Sequence, residues 1–281
     1  RAVALAALAQ LSGRRPLVVV CPTGTMAEQL YDDLRYFMSG DHSPAVMLFP
    51  AWETLPFERV SPSVETMGRR LEVLWRLGEP EHIRPTVVVS SMRSLLQQLG
   101  PDTAPGEAGC APIVVRKGAT LDPVELVKSL VERGYRREDL VEHRGEVALR
   151  GAIVDVFPST SDIPIRIDLW GDEVDRLTSF SVHDQRSDAD IDEALIFPAR
   201  ELIMSDDCRD RAAALVASDP WGRENWERLA EGQIFDGMES WLPWLTESQR
   251  LLTDVLPAGA KVVLVEPRRL RDRAHDLLAE E

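Results

Sequence analysis

Short apolar runs alternate with helix-like repeats through residues 1–100. The runs at residues 17–20, 46–49 and 86–89 predict strands that are buried on both faces. Helices are predicted after a capping box at Thr25 and Glu28, after Ser61-Pro62, and from Met92 onward to about Leu99. The inward positions of the first two helices are Met26, Leu30, Leu34 and Phe37, and Val64, Met67, Leu71 and Leu74. This alternation predicts an α/β fold with a doubly wound, mainly parallel sheet.

A different pattern follows the segment 101–111, which is rich in Pro, Gly and Ala. One helix is predicted with Asp122 as N-cap, Pro123 in its first turn and Gly134 at its end. Strands are then predicted over residues 145–157, 163–170 and 174–182, the last two joined by a tight hairpin at Gly171-Asp172. This region is therefore predicted to be a small α+β module with an antiparallel sheet.

The last part of the chain becomes helical again over residues 209–218 and 221–231, then carries one apolar strand at 261–265 and a charged helix. A lone strand and helix cannot bury both faces of the strand, so we expect this strand to complete the first sheet. The predicted domains are therefore residues 1–111 and 200–281 as two parts of one α/β domain, with residues 112–199 inserted between them as a small α+β domain.

Composition narrows the class of protein. The 281 residues include 32 Lys and Arg against 47 Asp and Glu, a formal net charge of −15. Such a surface repels phosphate backbones, which disfavours non-specific nucleic-acid binding by the chain as a whole. No run approaches the roughly 18 apolar residues of a membrane span, so no membrane partner is expected. Because the chain starts at Arg1 without a signal-peptide pattern, we expect a fragment of a cytoplasmic protein.

The positions of the lysines bear on whether this chain could bind and hydrolyse ATP. The chain has three, Lys117, Lys128 and Lys261, and none follows the glycine that a Walker A loop requires. We therefore expect no ATP hydrolysis and no cofactor in this fragment, neither ATP nor Mg²⁺. The three cysteines lie far apart without a C-x-x-C pair, and the five histidines are scattered, so no metal site is expected either.

Two short segments invite functional interpretations. Residues 20–23, Val-Cys-Pro-Thr, precede a helix as in helicase-like motors, where this loop contacts nucleic acid; an ordinary βα turn is the equally weighted alternative. Residues 167–173, Ile-Asp-Leu-Trp-Gly-Asp-Glu, end in the Asp-Glu of a Walker B strand. The polar residue inside the run and the glycine turn favour a hairpin there.

The strand at 163–170 shows the most informative alternation. Ile163, Ile165, Ile167 and Leu169 share the face expected to be buried, and Arg166, Asp168 and Trp170 share the other. Arg150 lies in the neighbouring strand. Tryptophan and arginine are enriched in binding hot spots, so the pattern suggests a protein-docking surface. The alternative is that an arginine stacks on the indole and shields it.

Several motifs together resemble the bacterial transcription-repair coupling factor (Mfd) family. They are residues 49–58 (FPAWETLPFE), Ser61-Pro62, and residues 144–146, 150–158, 164–168 and 171–177. The same motifs are shared more loosely with the excision-repair protein UvrB. The resemblance implies a degenerate helicase-like, UvrB-like domain that lacks motor motifs and is split by an inserted second domain. UvrB's DNA-gripping hairpin is expected to be absent, because the segment after Phe57 is short and polar.

The resemblance further implies a partner and a site. The module is expected to recruit UvrA to lesions where RNA polymerase has stalled, with Arg150, Arg166 and Trp170 as UvrA contacts; phenylalanine also occurs at the Trp170 position. Other domains of the parent translocase would bind RNA polymerase, DNA and ATP. Its C-terminal domain would mask the UvrA-binding surface in the resting state. An adaptor, a nucleic-acid binder and a nucleotide hydrolase remain open, with a DNA-binding helicase remnant as the main alternative.

Overall fold

The computed structural model describes residues 1–11, 16–38, 45–55, 58–247 and 249–280. Pro56 and Phe57 of the segment 49–58 lie outside the described residues. The first part of the chain contains α1 (Ala2–Leu11), β1 (Leu17–Cys21), α2 (Gly24–Phe37), β2 (Val46–Phe49), α3 (Val64–Gly78), β3 (Val87–Ser91) and α4 (Met92–Leu96).

The remaining elements fall into a strand-rich part and a helical part. The strand-rich part contains β4 (Ile113–Arg116), α5 (Pro123–Glu132), β5 (Arg136–Arg137), β6 (Glu146–Arg150), β7 (Ile153–Val156), β8 (Ile165–Trp170), β9 (Glu173–Phe180), β10 (Ser187–Asp190) and β11 (Glu193–Ile196). The helical part contains α6 (Asp206–Ser218), α7 (Arg223–Ala230), α8 (Leu242–Leu245), β12 (Lys261–Leu264) and α9 (Pro267–Glu280). Short 3₁₀ turns lie at Ala108–Cys110, Pro220–Gly222, Met238–Trp241 and Leu252–Val255.

The first sheet is parallel and has the strand order β12-β1-β3-β2. β12 pairs with β1 in the register Leu17 with Lys261, which confirms that the late apolar strand returns to the first sheet. One face of the sheet packs on α1 and α2, and the other packs on α3 and on Leu270 of α9. The fold is therefore mixed α/β, with helices on both faces of a parallel sheet.

The helix starts differ from two sequence predictions. Thr23, rather than Thr25, is the N-cap of α2, because it still has extended backbone angles and its hydroxyl accepts a hydrogen bond from the amide of Met26 at 3.3 Å. Ser63, rather than Ser61, caps α3, since its hydroxyl accepts a hydrogen bond from the amide of Thr66 at 3.1 Å, whereas the Ser61 hydroxyl donates to Glu239 at 2.5 Å. Further along, Phe37 at the end of α2 is exposed instead of facing inward, and α4 ends at Leu96, before the predicted Leu99.

The second module is built on a mostly antiparallel sheet with the order β10-β9-β8-β7-β6-β5. The region 145–157, predicted as one strand, forms two strands joined by a tight turn, because Arg150 pairs with Ile153. Gly151 in that turn has a φ of 64° and open space around it, so the turn uses the conformational freedom of glycine. The predicted hairpin at Gly171-Asp172 is confirmed, since Trp170 pairs with Glu173.

One face of this sheet packs on α5 and forms the core of the module. Ile165, Ile167 and Leu169 lie on that face, as the alternation predicted. Ile163 does not: its residue is 53% exposed, because β8 begins only at Ile165. The opposite face of the sheet carries the polar residues described next. Within the described part of the chain, no helix has the length and apolar character needed to cross a membrane.

Candidate docking surface

The outer face of the six-stranded sheet gathers polar residues from three adjacent strands. Strand register places Asp155 of β7 directly beside Arg166 of β8. In the next row along the strands, Arg150 of β6 lies beside Ile153, which lies beside Asp168. Trp170 lies at the end of β8, beside the turn at Gly151. We refer to Arg150, Asp155, Arg166, Asp168 and Trp170 as the docking face.

Trp170 points away from the core into solvent. Its residue is 83% exposed, while Leu169 beside it is buried, so the predicted alternation is confirmed at the end of the strand. Exposing so large an apolar side chain is unfavourable in water and is a common feature of interaction sites.

Asp155 is the buried centre of the docking face. Its carboxylate is fully buried and accepts hydrogen bonds from Arg166, Nε to Oδ1 at 2.7 Å and Nη2 to Oδ2 at 2.9 Å. Nη2 of Arg150 also donates to Oδ2. Burying a carboxylate is costly unless it is paired and hydrogen-bonded, and here two guanidinium groups meet that requirement.

Arg166 is far less exposed than its outward position in the strand predicted. Its side chain is 12% exposed, because the turn at residues 181–186 covers it and the carbonyl oxygen of Gln185 accepts from Nη1 at 3.0 Å. The guanidinium lies 4.8 Å from the centre of the Phe180 ring, so it stacks there and not on Trp170. The hydrogen bonds to Asp155 raise the pKa of Arg166 above its ordinary value, which keeps the group charged.

Arg150 is the more accessible of the two arginines. Its side chain is 42% exposed and reaches Asp155 through Nη2 alone. Nε and Nη1 have no hydrogen-bond partner among the described residues. The structure therefore brings the three predicted site residues to one face, with Trp170 and Arg150 open to solvent and Arg166 largely covered.

Two acidic residues complete the face, and sequence reasoning had not assigned either of them a role. The signal for Asp155 was available: it is the polar residue in the otherwise apolar strand Ile153–Val156, and its position there is buried. Asp168 is partly buried, and burial raises the pKa of its carboxyl group, opposed by the nearby charges of Arg166 and Arg176.

The sequence also suggested a nucleic-acid contact at residues 20–23 and a Walker B strand at residues 167–173. Cys21 is buried at the end of β1, where burial raises the pKa of its thiol to about 11, and Thr23 caps α2. Residues 20–23 therefore lead from the strand into the helix, a geometry common to both interpretations of this segment, and the nucleic-acid contact stays a prediction. Residues 167–173 form the β8–β9 hairpin and not a Walker B strand. Among the residues that the structure describes, no group of His, Cys, Asp and Glu side chains is arranged to hold a metal ion.

Comparison with known proteins shows that the second module matches a protein-domain family. Residues 113–202 match the family described as "UvrB interaction domain". This range includes every strand of the six-stranded sheet and the whole docking face.

The similarity to transcription-repair coupling factors extends over nearly the whole chain. The chain is 42% identical to the factor of Mycobacterium tuberculosis over 283 residues, 95% of this chain and 22% of that protein. It is 30% identical to the Escherichia coli factor over 88% of this chain, and 29% identical to the Bacillus subtilis factor over 100% of it. The chain belongs to the transcription-repair coupling factor family, and it spans only 21% to 25% of the length of these relatives.

Proposed function

We propose that this chain is the adaptor module of transcription-coupled nucleotide excision repair, which recruits UvrA to lesions where RNA polymerase has stalled. The observation that carries the proposal is that the exposed Trp170 and the accessible Arg150 share the outer face of the region that matches the UvrB interaction domain. Membership in the family supports the repair context.

The chemistry of the docking face suits a protein partner. The indole of Trp170 can anchor in an apolar pocket, which would remove its exposed surface from water. The open donors of Arg150 can bind a carboxylate of the partner through charge-assisted hydrogen bonds. Arg166 would contribute through its charge and its contact with Asp155, since most of its donors are already used.

The proposal also concerns the relation of this fold to helicase domains and the roles of the other domains of the parent protein. Residues 1–111 and 200–281 would form a degenerate, doubly wound helicase-like domain, with residues 112–199 inserted as the UvrA-binding domain. The chain itself would have no ATPase activity, and the ATP- and Mg²⁺-dependent translocase, the RNA polymerase contact and the DNA contact would belong to other domains. The C-terminal domain of the parent would mask the docking face at rest, and the protein would act in the cytoplasm.

The central test is the affinity of the chain for purified UvrA when Trp170 is replaced. We expect Trp170→Ala to weaken binding by about 2 kcal/mol, roughly thirtyfold, because it removes the apolar anchor. The midpoint temperature of thermal unfolding should stay within a few degrees of that of the unaltered chain, since removal of an exposed side chain leaves no cavity. Tyr36→Ala is the matched control: this aromatic is 80% exposed on α2, away from the docking face, and its loss should leave binding unchanged.

Two results would contradict the proposal. Normal UvrA binding by a folded Trp170→Ala variant would place the docking site elsewhere. Binding of duplex DNA with a steep dependence on salt, together with no binding of UvrA, would favour the DNA-binding helicase remnant.

A further inference from the structure

The hydrogen bonds around Asp155 divide the two arginines into different roles. Arg166 uses Nε, Nη1 and Nη2, two of them on Asp155 and one on the carbonyl oxygen of Gln185. Arg150 uses only Nη2, and it approaches the same carboxylate from the strand on the other side of β7. The charges of Asp155 and Asp168 formally balance those of the two arginines, and Arg150 carries the more accessible of the two positive charges.

We propose that Asp155 is a positioning residue that, together with Arg166, holds the Arg150 guanidinium on the same face as Trp170 with its open donors directed at a carboxylate of the partner. This inference rests on the proposed function, because it describes how the same docking face binds UvrA. The partner surface it requires has an apolar pocket for the indole and, on the same side, a carboxylate for the Arg150 guanidinium.

The physical reason is preorganisation. A long arginine side chain on a protein surface populates many rotamers, and binding must restrict them. The hydrogen bond from Nη2 to a buried carboxylate restricts Arg150 before the partner arrives. The bidentate contact with Arg166 fixes the orientation of that carboxylate in turn, so the geometry is already set in the free protein.

Binding cycles on the full 281-residue chain with purified UvrA test this role. We expect Asp155→Asn to weaken binding about tenfold and Arg150→Ala to weaken it about thirtyfold. In the Asp155→Asn background, Arg150→Ala should cost only about threefold more, since most of its contribution is already lost. Trp170→Ala should still cost about thirtyfold in that background, because the indole does not depend on Asp155. A merely structural role of Asp155 would not separate the two residues in this way.

A second variant covers the case in which Asp155→Asn alone does not fold, since it leaves Arg166 largely buried without its counter-ion. Removing both charges together in Asp155→Asn/Arg166→Met is much less costly than breaking the pair. This double variant should fold, retain the Trp170 contribution, and lose affinity about tenfold because Arg150 is no longer held.

The outcomes separate the inference from the function on which it rests. If a folded Asp155 variant binds UvrA as tightly as the unaltered chain, Asp155 does not position Arg150. If the costs of Arg150→Ala and Trp170→Ala both shrink in the Asp155→Asn background, Asp155 maintains the whole face and the positioning role is wrong. If the unaltered chain itself fails to bind UvrA, the proposed function fails and this inference falls with it.

Discussion

Glu201 and Arg70 form an ion pair in which both side chains are fully buried, and it joins segments that are far apart in sequence. Nε and Nη2 of Arg70 donate to the two carboxylate oxygens at 2.7 and 3.1 Å, and both side chains have no exposed surface. Nε1 of Trp52 also donates to Glu201, at 2.9 Å, and Arg70 lies over the Phe49 ring at 4.3 Å. The FPAWE segment that carries part of the family resemblance therefore has a structural role here.

Replacing Arg70 should lower the stability of the protein, because Glu201 would then be buried without its counter-ion. We expect Arg70→Met to lower the free energy of unfolding by about 3 to 5 kcal/mol, because it leaves a buried carboxylate without its counter-ion. The double variant Arg70→Met/Glu201→Gln should recover part of the loss, since no uncompensated charge remains. Urea unfolding of both variants measures the difference, and equal stabilities would show that the buried charge is not the cause.

Among the helices, α3 contacts both the parallel sheet and the second module. Its inner side packs on β1, β2 and β3 through the apolar core of that face. Its other side approaches the second module so closely that a Cβ at Gly68 would lie 2.6 Å from the Cβ of Ser159. Ser159 cannot move away easily, because its amide donates to the hydroxyl of Tyr135 at 3.0 Å and its hydroxyl donates to the carbonyl oxygen of Phe197 at 3.1 Å.

A methyl group at Gly68 tests this contact. Gly68→Ala should lower the free energy of unfolding by about 1 to 3 kcal/mol, because the clash with Ser159 outweighs the better helix propensity of alanine. Gly24→Ala is the matched control in α2, where a Cβ would meet nothing within 4 Å, and it should be neutral or slightly stabilising. If thermal unfolding shows Gly68→Ala to be as stable as the control, α3 and the second module are not packed as described.

At the scale of the whole molecule, the part of the chain that follows the second module binds to the segment that precedes this module. Nη1 and Nη2 of Arg250 donate to the two carboxylate oxygens of Glu107 at 2.8 and 3.0 Å. The amide of Leu99 donates to the carbonyl oxygen of Arg250 at 2.8 Å, and β12 then pairs with β1. These contacts join residues near 100 with residues near 250 across the inserted module.

The Glu107–Arg250 pair should make part of the stability depend on pH. The hydrogen bonds from Arg250 lower the pKa of Glu107 below its ordinary value of 4.5, against the opposing effect of burial. A carboxyl group with a lowered pKa in the folded state stabilises the fold above its ordinary pKa, and that contribution is lost as the pH falls through the lowered value.

The comparison of the unaltered chain with Glu107→Gln isolates this contribution. Near neutral pH the variant should be less stable by no more than about 1 kcal/mol, because the pair is partly exposed. The difference should shrink as the pH falls below 4.5 and vanish once Glu107 is protonated in the folded state. Chemical unfolding at a series of pH values measures it, and a difference that does not change with pH would contradict the assignment.

Sequence periodicity and turn residues predicted the elements more reliably than their ends. The apolar runs gave the three early strands, because strands that are buried on both faces need apolar residues throughout. The run at 261–265 gave β12 as well, but the expectation that this strand is buried is wrong: it lies at the edge of the sheet, and Val262 and Leu264 are exposed. The caps of α2 and α3 were each misplaced by two residues, since several Ser and Thr residues were available and only the packed structure selects one. Gly171 predicted its hairpin correctly, whereas the turn at Gly151 was missed because strand-forming residues continue on both sides of it.

Alternation along β8 determined from sequence alone that Arg166 and Trp170 share a face, because side chains in a strand point to opposite sides in turn. Only the tertiary structure decided how different the two residues are. The turn around Gln185 covers Arg166, and β7 brings Asp155 beside it, whereas the end of the strand leaves Trp170 in solvent. Exposure and pairing depend on which distant segments meet, and a local pattern contains no information about those contacts.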